Sequence, residues 1–407
     1  MRHSIAPMAA PDIPKLALPA ARSFIAVAAV FYFFDLFQQT RDHLTNGGGR
    51  PFGDDFINFW SGAFLAWHGR ASEIYNIVAF HNFELSVAGA ALDGYHYSYP
   101  PVLLLLTLPL AFVPYVPGLP LWLIGGWYAF YRVLRAAMRE GGALLLALAA
   151  PAVFINAIGG QNGTWTAALL GGGLIALERR PVLAGILFGL MAYKPQLGIL
   201  VPVALLAGRH WRATAAAAAT VCVLVGASII VFGVELWHEY LRNVSVLRGT
   251  ILEDGEGVWH RFVSVFVAAR RLGVPVEAAY LLQMVSAVIV AAVVAAVWYR
   301  DRPAGIKNAM LLLATCLATP YLQDYDLVFT TLAIVWLWQE MPAAARSTPL
   351  FQTSAGLVLV LPLVAAPFAK ATGLAFGPLF IVPLFVVAVQ AGLRNRSSLR
   401  VAPAHSL

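Results

Sequence analysis

The chain has 407 residues, of which 60% are hydrophobic and 12% are charged, and its mean hydropathy is +0.74. Soluble domains carry about 25% charged residues, so this composition excludes an ordinary soluble protein. The net charge of +7 does not indicate nucleic-acid binding, because arginine and lysine gather at the ends of apolar segments, as they do in proteins oriented across a membrane. Cys222 and Cys316 lie inside apolar segments and predict neither a disulfide nor a metal site.

Apolar segments recur along the chain, and a bilayer accommodates such runs as helices. The first segment follows basic residues and lacks a small-residue cleavage signal, so it predicts an uncleaved signal-anchor helix. In chain order the segments are 20–39, 99–115, 118–138, 143–157, 161–178, 181–193, 195–207, 211–232, 277–299, 304–319, 325–339, 349–368 and 374–393.

The positions of the basic residues decide which segments cross the membrane. If every segment crossed, several arginine clusters would lie outside, against the positive-inside rule. Segment 99–115 begins YSYPPV and contains four prolines. If this segment does not cross the membrane, the arginine clusters lie on the cytoplasmic side. We therefore predict an all-α polytopic membrane protein with about twelve transmembrane helices, both termini inside, and interfacial or juxtamembrane helices on the outer face. Residues 1–407 form a single integral membrane domain with two large outer loops, 40–98 and 233–276.

Two adjacent aspartates, Asp54 and Asp55, stand in the first outer loop within PFGDDFINFW. The next residues, up to position 68, place aromatic side chains at three- and four-residue spacing, which predicts an interfacial helix with its apolar stripe toward the membrane. Either aspartate could cap this helix. A carboxylate at the membrane edge can also act as a general base on a hydroxyl, and the two roles are compatible because there are two carboxylates.

Lys194 stands alone on the outer face, between two apolar segments that are short for a membrane crossing. Pro195 predicts a helix break directly after it. The lysine either extends to the interface or binds a phosphate. Further polar residues begin predicted helices on the same face, where capping explains them as well as substrate binding does. They are Gln161, Asn162, Asp324, Tyr325 and Asp326.

Five motifs occur in an order that resembles glycosyltransferase family 87, over about residues 50–330. They are DFINFWSGAFLAWHGRASEIY, YSYPPVLLLLTLPLAF, GQNGTWTAALL, AGILFGLMAYKPQLGILVPVALL and TPYLQDYDL. The family includes polyprenyl-phosphate-mannose-dependent mannosyltransferases of the GT-C class. The resemblance implies a multi-spanning hexosyltransferase in the inner membrane of a bacterium, with its active site facing the periplasm.

The resemblance also assigns roles to individual residues. Asp55 matches the expected catalytic base of the first outer loop, with Asp54 as the second choice, and Lys194 matches the lysine of a GL-x-x-x-KP pattern and would bind the donor phosphate. Many members have SPISWDHH where this chain has TPYLQDYD, so Tyr325 and Asp326 replace histidines. Polar residues of the motifs are expected to bind substrate: Tyr99, Gln161, Asn162, Gln196, Asp324, Tyr325 and Asp326.

The chemistry of such a transfer suits these residue types. A polyprenyl-phosphate sugar leaves as a phosphate monoester whose developing charge needs a cation such as Lys194. The hydroxyl of a lipid or glycan acceptor needs a base such as Asp55, and direct displacement inverts the anomeric centre. No cofactor and no metal is expected, because a phosphomonoester leaving group requires none, although Asp54 and Asp55 together could bind a metal.

The alternative is a membrane transporter or lipid flippase in which the same carboxylates relay protons. Such a protein would more often place ionisable groups at mid-membrane and show halves related by a repeat. This sequence keeps its polar groups at one face and shows no strong internal repeat. An inactive membrane scaffold is a third possibility, and it would leave Lys194 unexplained.

Overall fold

The structure is a computed structural model that describes residues 17–255 and 257–393. Within these ranges every regular element is helical, and β-type pairing is limited to isolated bridges. The prediction of an all-α fold is therefore confirmed.

Twenty α-helices follow one another along the described chain. The first four are α1 (Ala17–Gln38), α2 (Phe56–Trp67), α3 (Ile77–Ala88) and α4 (Pro101–Thr107). The next eight are α5 (Tyr115–Ala137), α6 (Ala143–Ala149), α7 (Pro151–Ile158), α8 (Gly163–Ala176), α9 (Pro181–Leu190), α10 (Pro195–Gly198), α11 (Val201–Ala207) and α12 (Trp211–Phe232). The last eight are α13 (Val234–Leu247), α14 (Val265–Arg271), α15 (Val276–Tyr299), α16 (Ala304–Ala318), α17 (Val328–Glu340), α18 (Ala343–Arg346), α19 (Pro349–Thr372) and α20 (Gly377–Leu393).

Four helices of the described chain are long and apolar enough to cross a bilayer, judged by length and composition. They are Leu18–Gln38, Trp211–Phe232, Val276–Tyr299 and Pro349–Thr372. Other apolar helices are only 10–17 residues long, α8 and α16 among them. The count of twelve crossings therefore stays a prediction.

Prolines divide several of the predicted apolar segments. Segment 99–115 forms α4 and a 3-10 turn, Leu108–Phe112, and neither is long enough to cross a bilayer alone. Segment 143–157 is divided into α6 and α7 at Pro151. The predicted break at Lys194 is present, because a 3-10 turn, Met191–Tyr193, ends there and α10 begins at Pro195.

Small residues bring α9 and α12 into close contact. A Cβ added at Gly185 would lie 2.4 Å from the Ala213 carbonyl oxygen, and one at Gly189 would lie 2.5 Å from Cβ of Thr220. Only glycine fits at both positions without moving α12. This is the small-xxx-small packing that is common between membrane helices, and it fixes α12 against α9.

The prediction that α2 is an interfacial helix is wrong. Ten of its twelve residues are buried, including polar Asn58 and Ser61, which lie off the aromatic stripe. The stripe does not face a membrane, since Trp60 stacks on Phe64 and also contacts Tyr115 at the start of α5. The helix is instead part of the protein core, directly after Asp55. The 233–276 loop contains α13, in which half of the residues are exposed.

Candidate active site

Side chains from five separate segments meet at one place. The first outer loop supplies Asp55, the turn before α8 supplies Gln161, and the break between α9 and α10 supplies Lys194. A 3-10 turn in the second outer loop, Trp259–Arg261, supplies Arg261, and another before α17, Asp324–Leu327, supplies both aspartates of the DYD sequence. The structure thus brings together most of the polar residues that the sequence placed on the outer face.

Glycines allow the loops to approach this closely. Gly160 has a φ of +58°, and a Cβ there would lie 1.9 Å from the Gly53 carbonyl oxygen. A Cβ at Gly163 would lie 2.2 Å from the carbonyl oxygen of Tyr325. Only a residue without a side chain fits at either position. The GGQNG turn therefore holds the first outer loop on one side and the turn before α17 on the other.

Asp55 lies at the centre of this cluster and keeps 27% of its side chain exposed. Gln161 donates a hydrogen bond from its amide nitrogen to Oδ2, and Nη1 of Arg261 lies 3.6 Å from the same oxygen. Asn58 Nδ2 approaches Oδ1 at 3.4 Å. Asp55 occupies the N-cap position of α2, yet its carboxylate makes no capping hydrogen bond, so the capping explanation does not apply to it.

The surroundings of Asp55 raise its pKa to about 7. Desolvation is the largest cause, and the neighbouring charge of Asp54 also raises the pKa. Arg261 and the hydrogen bond from Gln161 act in the opposite direction. A carboxyl group with a pKa near neutrality is suited to exchange protons with a substrate hydroxyl.

Asp54 has different partners from Asp55, and they hold its loop in place. Its carboxylate accepts hydrogen bonds from Arg50 Nη2 at 2.7 Å and from the Tyr95 hydroxyl at 2.6 Å. Arg50 in turn pairs with Asp35 at the end of α1, at 2.9 Å. The backbone of Asp54 has a φ of +52°, in the left-handed region that aspartate and asparagine adopt more often than most residues with a side chain. Asp54 therefore ties the first outer loop to α1.

Lys194 is buried, with 3% of its side chain exposed. Its Nζ donates to Asp326 Oδ1 at 2.6 Å and to Asn162 Oδ1 at 3.0 Å, and it lies 4.6 Å from the centre of the Tyr325 ring. The explanation that Lys194 extends to the membrane interface is therefore wrong. Its charge is already balanced by a carboxylate whose side chain is fully buried.

The two carboxylates of the DYD sequence have separate cations. Asp326 pairs with Lys194, and its Oδ2 also accepts a hydrogen bond from the Gln323 backbone at 3.2 Å, as part of a capping box. The capping prediction is thus confirmed for Asp326. Asp324 Oδ1 accepts hydrogen bonds from the Tyr325 backbone at 2.8 Å and from Nε of Arg261 at 3.2 Å.

Arg261 is the site residue that the sequence did not reveal. Its guanidinium bridges Asp55 and Asp324 and lies 5.2 Å from the Tyr325 ring. Positive charge on the outer face runs against the positive-inside rule, and this was the available signal. The signal was not selective, because the second outer loop contains other arginines: Arg242, Arg248, Arg270 and Arg271.

Of the expected substrate-binding residues, Tyr99 joins the cluster and Gln196 does not. The Tyr99 hydroxyl accepts a hydrogen bond from Asn162 Nδ2 at 3.0 Å. Asn162 is at the N-cap of α8 but makes no capping hydrogen bond with its side chain. The Gln196 side chain makes no hydrogen bond to any residue of the described ranges. Gln161 Oε1 is buried without a hydrogen-bond partner, so it remains available to a substrate.

Glu84 on α3 is a second buried carboxyl that the sequence did not single out. Its side chain is fully buried, and neither oxygen has a hydrogen-bond partner. Desolvation, with a smaller effect from the charge of Asp55, raises its pKa to about 9. Glu84 is thus neutral at physiological pH and does not compete with Asp55 as a base.

Residues 17–255 and 257–393 contain no group of three or more histidine, cysteine or acidic side chains that could hold a metal ion. Asp54 and Asp55 do not form a pair of metal ligands, since each carboxylate has other partners. Arg50 and Tyr95 contact Asp54, and Gln161 and Arg261 contact Asp55. The geometry therefore gives no support to a metal held between these two aspartates.

Comparison with known proteins adds one finding. The model of Glycosyltransferase family 87 matches residues 97–320, which is more than half of the chain. This range includes Gln161, Lys194 and Arg261, while Asp55 lies before it and Asp324 after it. No curated protein and no solved structure matches the chain.

Proposed function

Because this chain belongs to glycosyltransferase family 87, and is therefore a membrane glycosyltransferase, we propose that its donor is a polyprenyl-phosphate sugar. The sugar is a hexose such as mannose, and the acceptor is a hydroxyl group of a lipid or glycan. The fold is of the GT-C class, and the protein lies in the inner membrane of a bacterium with its site facing the periplasm. The family establishes the coarser activity, and the site residues support the finer proposal.

The single observation that supports this function best is the setting of Asp55. Its carboxylate is partly exposed, is oriented by Gln161 and Arg261, and has a pKa raised to about 7 by burial. Such a group accepts a proton readily at neutral pH, as a general base must. Asp55 is therefore the proposed base, and Asp54 the residue that positions its loop.

The reaction proceeds as a direct displacement at the anomeric carbon. The acceptor oxygen forms a bond to that carbon while Asp55 takes the hydroxyl proton. The bond from the anomeric carbon to the phosphate oxygen breaks, and its electron pair leaves with polyprenyl phosphate. Attack on the face opposite the leaving group inverts the anomeric centre.

The leaving phosphate gains negative charge, so a cation close to it lowers the barrier. Arg261, with 18% of its side chain exposed, is the more accessible cation beside Asp55. We propose that Lys194 helps Arg261 to stabilise this charge. A direct contact between Lys194 and the phosphate requires the ion pair of Lys194 with Asp326 to open. The Tyr325 ring contacts both cations, with its centre 4.6 Å from Lys194 Nζ and 5.2 Å from the Arg261 guanidinium carbon.

The proposal is tested with purified protein in lipid nanodiscs and a panel of labelled polyprenyl-phosphate sugars, with lipid extracts as acceptors. Asp55→Asn keeps the size of the side chain but cannot accept a proton, so we expect turnover to fall by a factor on the order of 10²–10⁴. Donor binding should change much less, because the amide oxygen of the introduced asparagine can still accept the hydrogen bond from Gln161.

Asp54→Asn is the matched control, since asparagine tolerates a positive φ as aspartate does. It should retain most of its turnover. Full activity in Asp55→Asn would remove this residue as the base. Equal losses in both variants, together with inhibition of the parent by EDTA, would indicate a metal site instead.

A further inference from the structure

A cavity of about 210 Å³ lies among the ends of α16, α17, α19 and α20. Its walls are mostly apolar and include Ile306, Met341, Leu350 and Val387. Two charged residues, Arg302 and Glu340, also line it. The candidate active site uses none of these residues.

The cavity is remote from that site along the helix axes. The turn that carries Asp324 comes directly before α17, and Glu340 is the last residue of the same helix. Thirteen residues at about 1.5 Å each separate the two ends by roughly 20 Å. The cavity thus opens at the opposite end of the bundle, which the charge distribution predicts to be cytoplasmic.

The charges at the cavity are unevenly balanced. Glu340 is already paired with Arg139. Arg302 forms no ion pair with a residue of the described ranges, and its Nε is buried without a hydrogen-bond partner, while Nη2 donates to the Leu393 carbonyl oxygen at 3.3 Å. The Arg302 side chain is partly exposed and has no carboxylate partner among the described residues. Such a cation beside apolar walls is suited to an anionic group attached to a hydrocarbon chain.

We propose that this cavity binds an anionic phospholipid of the adjacent leaflet. The lipid phosphate accepts a hydrogen bond from Arg302, and the first methylene groups of an acyl chain contact the apolar walls. Basic pockets between transmembrane helices bind anionic lipid head groups in this way. Further basic residues at the same end attract anionic lipids to it: Arg139, Lys307 and Arg346. Since the cavity lies between the ends of four helices, an occupant would stabilise their packing.

The test measures lipid-dependent stability of the delipidated full chain in neutral detergent. A ligand that binds only the folded state raises the Tm, and the increase grows with the logarithm of its concentration once that concentration exceeds the Kd. We expect phosphatidylglycerol to raise the Tm at a concentration about tenfold or more below that of phosphatidylcholine, since a hydrogen bond to a charged group is at stake. Inorganic phosphate should have no comparable effect.

Two variants change the charged part and the apolar part of the cavity separately. Arg302→Gln should weaken the phosphatidylglycerol effect about tenfold, whereas Arg300→Gln, a matched charge change at a residue that does not line the cavity, should not. Val387→Phe fills the apolar part, leaves Arg302 intact, and should also reduce the effect.

The proposal is overturned if the two arginine variants respond alike, if the two lipids act at the same concentration, or if Val387→Phe retains the full response. A shift produced by inorganic phosphate alone would likewise overturn it, because the site would then take a free anion. None of these readouts requires glycosyl transfer, so they do not depend on the proposed function.

Discussion

The ion pair of Lys194 and Asp326 makes a prediction about stability that needs no knowledge of the substrate. Both side chains are buried, with 3% and 0% exposure, and their charged atoms are 2.6 Å apart. Lys194→Met leaves the carboxylate of Asp326 buried without its cation. Removing one partner of a buried pair lowers the free energy of unfolding by about 3–5 kcal/mol, and the burial of this pair gives no reason to reduce that value.

Adding Asp326→Asn to the same chain should restore most of the loss. Asparagine carries no charge, so no unpaired ion remains, and its amide oxygen can still accept the hydrogen bond from the Gln323 backbone. Replacing both charges of a buried pair is often close to neutral. The double variant therefore separates the structural role of the pair from any role of Lys194 in binding donor phosphate.

The measurement is unfolding by increasing SDS in mixed micelles, followed by tryptophan fluorescence. Lys370→Met, at an exposed position near the end of α19, is the matched control and should stay within about 0.5 kcal/mol of the parent. A Lys194→Met variant as stable as this control would refute the reasoning, and so would a double variant no more stable than Lys194→Met alone.

The remaining predictions concern the pH profile and the close packing of the loops. Because Asp55 has a raised pKa of about 7 and acts in its ionised form, kcat/KM should fall as the pH drops below about 7. Arg261 lowers that pKa, so Arg261→Gln should move the acid side of the profile to higher pH by about 1–3 units. Arg242→Gln, at an exposed position of the same loop, should leave the profile in place. Equal profiles in the two variants would argue against an ion pair between Arg261 and Asp55. Gly160→Ala introduces a Cβ that would lie 1.9 Å from the Gly53 carbonyl oxygen, so it should lower both the Tm and turnover. A variant with normal values of both would show that the loops do not need this close approach.

Much of the fold could be predicted because a bilayer leaves apolar segments few alternatives to a helix. The break after Lys194 followed from Pro195, since proline cannot continue a helix at that point. The position of α2 could not be predicted in the same way. Its aromatic stripe has helical spacing, but its other face carries small residues, Ser61 and Gly62, that allow burial on all sides.

The sequence allowed us to predict which kinds of residue form the site, but not which of them form ion pairs with each other. Lys194 was recognisable as a cation that needs a partner, yet Asp326 lies 132 residues further along the chain and no local pattern connects them. Arg261 was missed for the same reason, because its partners are Asp55 and Asp324 from two other segments. Spacing identifies neighbours on one helix but not across a bundle.

The assembly of the site from five segments has a consequence for its biogenesis. Gln161 follows Asp55 by 106 residues, which is about 5–20 s of synthesis at about 5–20 residues per second. The turn with Asp324 emerges later still. During this interval the loop with Asp55 lacks the partners that come later in the chain, so under the proposed function a nascent chain that ends before that turn should be inactive. Under the proposed function, activity begins only when the later helices have brought the turn with Asp324 to the loop with Asp55.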